Sequence, residues 1–321
     1  MAEYMRILIT GGSGFIGTNA VGHFAGRHEV LNFDIAAPMN PEHAMHWRQV
    51  DLLDAASLKA AVAGFDPHFV LHLAARTDLD GRGLEDYAAN ITGVSNLLDA
   101  LVGAPSLRRV IFTSSMLVCK VGYQPISDTD FCPPNPYGES KVHGELLVRE
   151  RPPAVPWVLV RPTSIWGPWF REPYRNFFDY VLKGRYFHIG VTRVYKTYGY
   201  VGNVIYQLQS ILDAPVVDVH GRVFYLGDSS EYVIREWADT IASRLGIRIR
   251  QAPLALVRCA AWIGDVLRSV DLRFPMTSFR LKNMTTENRL DLSPILSLAP
   301  ALPFDRNHSI DLTLDWLRQH P

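Results

Sequence analysis

Tyr137 and Lys141 close the run Tyr137-Gly-Glu-Ser-Lys141, a spacing that puts a phenol and an ammonium on one helix face. An ordinary tyrosine titrates near 10. To act as a base at neutrality it must come down to about 7, a change worth about 4 kcal/mol. The Lys141 ammonium is expected to supply part of that lowering and to reach a ribose hydroxyl as well. Upstream, Thr113-Ser114-Ser115 ends a strand-like run. A serine there can orient a reacting hydroxyl or carbonyl; Ser115 is the expected residue and Ser114 its competitor. A phenol, a serine and a lysine so arranged suit proton transfer at a carbon that gains or loses hydride.

The hydride carrier is announced earlier. Thr10-Gly11-Gly12-Ser13-Gly14-Phe15-Ile16-Gly17 follows a strand-like run and opens a helical one, the context a dinucleotide fingerprint requires. Gly11 is expected to make the tight turn, Gly14 to let a pyrophosphate approach the helix N-terminus, and Gly17 to let helix and strand pack closely. Asp34 stands 17 residues beyond Gly17, at the end of the next strand-like run. A carboxylate there accepts from ribose hydroxyls and repels a 2′-phosphate. No Lys or Arg lies between Asp34 and Arg48, which points to NAD rather than NADP. Asp51-Leu52 could frame the adenine, although Asp51 could equally cap the helix that follows.

These residues need a scaffold of alternating strands and helices. Strands are expected at Arg6–Thr10, Glu29–Phe33, Trp47–Val50, Phe69–Leu73, Arg109–Thr113 and Trp157–Val160. Helices are expected at Phe15–Gly26, about Asp54–Ala63, about Leu84–Leu101 and Pro136–Glu150, the last with Asn135 as N-cap. That alternation implies a doubly wound, Rossmann-type parallel sheet covered on both faces. After Arg161 the rhythm changes. Helices are expected at Val201–Leu212, Tyr232–Leu245, Leu254–Val270 and near Ile310–Arg318, with a strand at Val223–Leu226. The stretch Pro275–Pro321 otherwise reads as irregular. The division expected is a cofactor domain at 1–165, rejoined by the strand and helix near 201–226, and a smaller mixed part at 166–321 that takes the substrate.

The sequence resembles the extended short-chain dehydrogenase/reductases, most closely their NAD-dependent nucleotide-sugar epimerases and dehydratases. Beyond the motifs above, the resemblance rests on His72-Leu73-Ala74-Ala75, on Asn90 within Asn-Ile-Thr-Gly, and on Arg161-Pro162-Thr-Ser-Ile-Trp-Gly-Pro168. It implies a catalytic set of Ser115, Tyr137 and Lys141. It also implies that Ala74 and Ala75 pass beneath the cofactor and that the Pro162 loop lies near the nicotinamide. The cofactor-binding set expected is thus Gly11, Ser13, Gly14, Phe15, Ile16, Gly17, Asp34, Asp51, Leu52, Leu73, Ala74, Ala75, Asn90, Thr113, Tyr137, Lys141 and Pro162. Lys196 stands where the family commonly turns a base toward a nucleotide diphosphate, and Asn203 replaces an acid of the same motif. Ser115, Met116, Asn176, Lys196 and Arg280 are the expected substrate contacts, with Arg193 a further base near the diphosphate. The family's 4,6-dehydratases carry Asp-Glu after the catalytic Ser/Thr; here Met116-Leu117 can transfer no proton, which disfavours dehydration. The expected reaction is hydride transfer at sugar carbon 4, as in a nucleotide-sugar 4-epimerase. A 4-keto-6-deoxy-sugar reductase, a dehydrogenase of a steroid-like or phenylpropanoid-like hydroxyl and a silent NAD sensor are the alternatives. The helices holding Asn90 and Tyr137 resemble the pair that forms a four-helix dimer interface in this family, so a homodimer is expected.

Composition narrows the rest. The 321 residues hold 32 Lys plus Arg and 32 Asp plus Glu, for a net charge of zero. That total lacks the basic footprint of a nucleic-acid binder or a polybasic membrane patch. Cys119, Cys132 and Cys259 contain no C-x-x-C pair, so neither a disulfide framework nor a cysteine-rich zinc site is expected. His28, His43, His46, His72 and His188 form no metal-like i, i+4 pair. No secretory signal is evident ahead of Arg6, and Leu254–Val270 is broken by Arg258, Asp265 and Arg268. A cytoplasmic protein with neither a membrane nor a nucleic acid as partner is expected.

Overall fold

The computed structural model describes residues 4–172, 174–191, 193–268, 274 and 276–320. Its centre is a seven-stranded sheet of β1 (Arg6–Thr10), β2 (Glu29–Asp34), β3 (Trp47–Gln49), β4 (Phe69–His72), β5 (Arg109–Thr113), β6 (Trp157–Pro162) and, far along the chain, β11 (Val223–Leu226). The spatial order is β11-β6-β5-β4-β1-β2-β3, and every pairing is parallel. Both faces are buried. Along β1, Ile7 and Ile9 enter one core while Leu8 enters the other; along β6, Val158 and Val160 oppose Trp157 and Leu159. Strands apolar on both sides are what two covering helix layers require.

The helices are α1 (Phe15–Phe24), α2 (Ala55–Phe65), α3 (Ala88–Leu101) and α4 (Pro136–Glu150) in the first half. Asp54 caps α2 by accepting from Ser57 N at 3.1 Å, and Asn135 caps α4 by accepting from Gly138 N at 2.8 Å. The predicted helix from Leu84 begins instead as a 3₁₀ turn, Leu84–Tyr87, and becomes α-helical at Ala88. α2, α3 and α4 pack side by side on one face. α1 lies on the other, against α6 (Val201–Asp213). Arg109 at the start of β5 donates to the carbonyls of Ile211, Leu212 and Ala214, satisfying the carboxyl end of α6.

The second half holds more regular structure than its sequence suggests. The strand β7 (Ser164–Trp166) pairs with β10 (Tyr198–Tyr200), β8 (Phe187–Ile189) with β13 (Arg250–Ala252), and β9 (Tyr195–Lys196) with β12 (Tyr232–Val233). The helix α5 (Tyr174–Leu182) lies in the aromatic stretch, where none was predicted. The remaining helices are α7 (Val216–Val219), α8 (Ile234–Ser243), α9 (Leu254–Arg268), α10 (Ser278–Thr285), α11 (Ser293–Leu298) and α12 (Arg306–Gln319). Tyr232 and Val233, predicted helical, are strand because β9 offers them an edge. The tail after Pro275 is helical in α10 and α11, elements too short to carry a periodic signal. Trp166, fully buried, packs against the rings of Phe178, Tyr200, Tyr232 and Trp237 and gathers these pieces into one core. Among the described residues, no helix is long and apolar enough to cross a membrane.

Candidate active site

The order of β4, β1 and β2 makes the carboxyl end of β1 the switch point of the sheet, where open α/β sheets bind ligands. The glycine turn sits there. Gly11 has φ +76°, and a Cβ on it would come within 2.5 Å of Ala74 Cα. A Cβ on Gly17 would lie 2.1 Å from the Gly11 carbonyl oxygen. Only glycine allows these approaches. Leu73 N donates to Thr10 O at 2.9 Å, which holds the Leu73-Ala74-Ala75 segment against the turn.

Several side chains brace the loop. Gly12 N donates to Asn32 Oδ1 at 2.8 Å, and Asn32 Nδ2 to Ser13 Oγ at 3.1 Å. Asp34 at the end of β2 accepts from Ser13 N at 3.1 Å and from Ala36 N at 3.0 Å. Asn32 escaped the sequence analysis, although a polar residue inside the apolar run of β2 was a usable signal. Phe15 and Ile16 form the first turn of α1, which starts without a side-chain cap and without an acidic residue. A Cβ on Gly14 would meet nothing within 4 Å but the Gly11 carbonyl oxygen, at 3.3 Å. An open glycine at an uncapped helix N-terminus fits a pyrophosphate, and the nearby Asp34 fits a ribose diol. These residues suit NAD.

On the far side of β4, α4 carries Tyr137, Ser140, Lys141 and Glu145 on its buried face. Lys141 Nζ donates to Thr113 O at 3.0 Å. Ser115 Oγ accepts from Leu117 N at 3.1 Å. Burial pushes the Tyr137 phenol up to about 12, a hydrogen bond from Ser115 acts downward, and the phenols of Tyr174 and Tyr87 reinforce the rise. The lowering of Tyr137 expected from Lys141 is therefore absent. The ammonium is held on the Thr113 carbonyl, and the same dry surroundings bring Lys141 itself down to about 8 against the upward pull of Glu145. His72, fully buried beside them, is driven down to about 3 by burial and then by the Lys141 charge, and its Nδ1 lies 2.7 Å from Thr10 Oγ1. A cavity of about 20 Å³, room for one water, is lined by His72, Asn90, Thr113, Ser114 and Lys141. Thr113 Oγ1 and Ser114 Oγ are buried there with no hydrogen-bond partner among the described residues.

Other expected residues are placed differently. Both ends of the Asn90 amide are engaged by the chain: Oδ1 accepts from Arg76 N at 2.8 Å, and Nδ2 donates to Arg76 O at 3.0 Å and Ser140 Oγ at 2.9 Å. Asn90 thus ties the chain after β4 to α3 and α4. Exposed Asp51 accepts from Leu53 N at 2.9 Å, while the buried Leu52 presents its carbonyl to Asn96 Nδ2 at 2.8 Å. Asp51 neither caps α2, which is the role of Asp54, nor is buried. Pro162 ends β6, half-buried, and Asn176 is half-buried on α5.

Glu145 was also missed, although it continues the i, i+4 series from Tyr137 and Lys141. It forms a fully buried pair with Arg161 of β6, through Nε and Nη2 at 2.8 Å each. Arg161 also donates to Asp128 O at 2.6 Å and Tyr225 Oη at 3.2 Å. This network fixes α4 to the sheet.

At the substrate end, Lys196 is buried, and its Nζ donates to Asn283 O of α10 at 2.8 Å. Burial lowers it to about 8, with Glu287 acting upward. Met116 Sδ lies 3.7 Å from Asn288 Nδ2, and Asn288 is bridged to Lys196 through the backbone. Asn288 thus joins the Met116 turn to the Lys196 strand. Arg280 is exposed on α10. Arg193 is exposed and paired with Glu236 at 3.0 Å. Asn203 donates to Asp228 Oδ1 at 2.8 Å and to Phe304 O at 2.9 Å, so it anchors the tail. The acid absent from position 203 is supplied at Asp228, which Tyr232 and Tyr200 N also bond. Among the described residues, no group of three His, Cys, Asp or Glu side chains is placed to hold a metal ion.

The fold and site are those of an NAD-dependent extended short-chain dehydrogenase/reductase. Residues 7–227 match the NAD dependent epimerase/dehydratase family, and the chain belongs to it. It is an enzyme, and its cofactor is NAD. It is 24% identical to the N-acetyl-alpha-D-glucosaminyl-diphospho-ditrans,octacis-undecaprenol 4-epimerase of Escherichia coli O157:H7, over 97% of this chain and 95% of that protein. It is 30% identical to a 3 beta-hydroxysteroid dehydrogenase/Delta 5-->4-isomerase of Mycobacterium tuberculosis, over 93% of this chain and 85% of that protein. The Bordetella bronchiseptica enzyme WbmG, solved with NAD and UDP, superposes with a TM-score of 0.73 at 22% identity, covering 99% of this chain and 96% of that one.

Proposed function

We propose that this enzyme is a 4-epimerase of a diphosphate-linked sugar, most simply a nucleotide sugar. NAD supplies the site that accepts and returns hydride. The residues that would hold it are the Gly11–Gly17 turn, Ser13, Asp34, the Leu73–Ala75 segment, Thr113 and Lys141. Tyr137 takes the proton from the sugar C4 hydroxyl and gives it back. Ser115 holds that oxygen in line, its hydroxyl oriented by Leu117 N. Lys141 binds a ribose hydroxyl. In this reading residues 1–165, with β11 and α6, carry the cofactor, and residues 166–321 mainly the sugar. The same reading has a cytoplasmic homodimer paired through α3 and α4, which light scattering tests.

The observation that carries the proposal is the pairing of Ser115 with a buried Tyr137 beside Met116 and Leu117. These neighbours offer no second acid or base, so the site favours hydride return over elimination. The diphosphate chemistry of the Escherichia coli relative and the UDP bound to WbmG point the same way. A second reading, oxidation of a steroid-like alcohol, draws on the mycobacterial relative and on the half-buried rings of Tyr174 and Tyr198. One assay separates them. With NAD and a UDP-hexose, the 4-epimerase inverts C4, read by proton NMR, with no net NADH. NADH accumulating with a 3β-hydroxysteroid, and no inversion of any sugar diphosphate, overturns the proposal.

A further inference from the structure

Helix α9 has two apolar faces, and among the described residues only one is covered. Val257, Ala261 and Gly264 are buried, and the helix packs on Phe187, Ile189, Met276 and Leu281. The opposite face, Ala255, Leu256, Cys259, Trp262, Ile263 and Val266, is exposed, with Trp262 at 67% and Leu256 at 65%. At 100° per residue these six cover about 120° of the helix, with no polar residue among them. The described parts of α3 and α4 expose no large apolar side chain of this kind.

Charge singles out the same region. The chain as a whole is neutral, yet residues 244–289 hold nine Lys plus Arg and three Asp plus Glu, a local net of +6. Arg250, Arg258, Arg280 and Lys282 are exposed on β13, α9 and α10, the elements packed together here. The balanced total in the sequence conceals this asymmetry. An apolar face with Trp, Leu and Ile on a segment with an excess of arginine and lysine is the pattern of a helix that lies in a lipid headgroup layer.

We infer that the outer face of α9 docks on an anionic lipid bilayer. Its 15 residues are too few to span one. A symmetric contact with a second copy would bring two +6 segments together, which like-charge repulsion opposes. Anionic lipid is attracted by the same charge. α10 links this face to the cleft, since its Asn283 carbonyl holds Lys196 Nζ. The inference stands apart from the substrate question, and its test needs no turnover.

The test is cosedimentation of the full chain with vesicles of phosphatidylcholine containing roughly one third phosphatidylglycerol. Binding should exceed that to pure phosphatidylcholine by about tenfold and fall as salt is raised. The triple variant Leu256→Ser, Trp262→Ser, Ile263→Ser should lose about tenfold in binding. Its NAD affinity should stay unchanged, which shows that it is folded. Failure of the parent chain to bind anionic vesicles, or equal binding by the variant, overturns the inference. So does a dimer in solution that the triple variant splits, since the face is then a protein contact.

Discussion

The two ends of the cleft are built from different kinds of contact. At the cofactor end, residues that are neighbours in sequence act together: Gly11 to Gly17 form one turn, and Asp34 closes it through Ser13 N. At the substrate end, residues far apart in sequence hold one another. Lys196 holds Asn283 O, Asn203 holds Phe304, and Asn288 spans from Met116 to the Lys196 strand. A turn that bonds itself keeps its role wherever its motif occurs. A lysine placed by four elements takes the role its neighbours leave it.

The largest break in that comparison should come at the cofactor end. Tyr137→Phe removes only the proton-transfer group, so turnover should fall by about 10²–10⁴ while NAD affinity, measured by fluorescence titration, stays near the parent value. Full activity in this variant would remove Tyr137 from the chemistry.

Next is the brace behind it. Glu145→Ala leaves Arg161 charged and unpaired in the core and should destabilise the fold by about 3–5 kcal/mol in urea unfolding. Replacing both residues by methionine should recover most of that loss.

A smaller effect, of opposite sign, is expected at Lys141. Lys141→Met should abolish turnover yet stabilise the protein by about 1–2 kcal/mol at pH 7, because a buried ammonium is removed at the loss of one hydrogen bond. The pH dependence follows from the lowered lysine. An ordinary lysine holds its proton to about 10.5, and Lys141 releases it near 8. Between those values the unfolded chain binds more protons, so parent stability rises with pH. The advantage of the variant should be greatest below pH 8 and fade toward 10.5.

Lys196→Met sharpens the substrate end. As at Lys141, a buried ammonium is removed at the loss of one hydrogen bond, here to Asn283 O, so stability at pH 7 should rise by about 1 kcal/mol. If the ammonium also faces the diphosphate, KM should rise more than kcat falls. A stability change with KM unchanged would make Lys196 purely a tie to α10.

The sequence by itself determined the parallel sheet, the glycine turn and the Tyr137 helix. Each rests on short-range rules: burial on both faces of a strand, a turn only glycine can make, and a cap one residue ahead of a helix. Asn135 caps α4 as its spacing predicts, and β1, β5, β11 and α4 begin and end at the expected residues. Only the tertiary structure decided that Asn90 braces the chain, that Tyr232 lies in a strand, and that burial raises Tyr137 while Lys141 is held on Thr113 O. It also decided that one apolar face of α9, within the basic segment 244–289, is exposed. The physical reason is range. Backbone sterics and hydrogen bonds act over a few residues and can be read in order. Desolvation and the competition for a polar partner depend on which distant segments close around a group, and the chain settles that only when it folds.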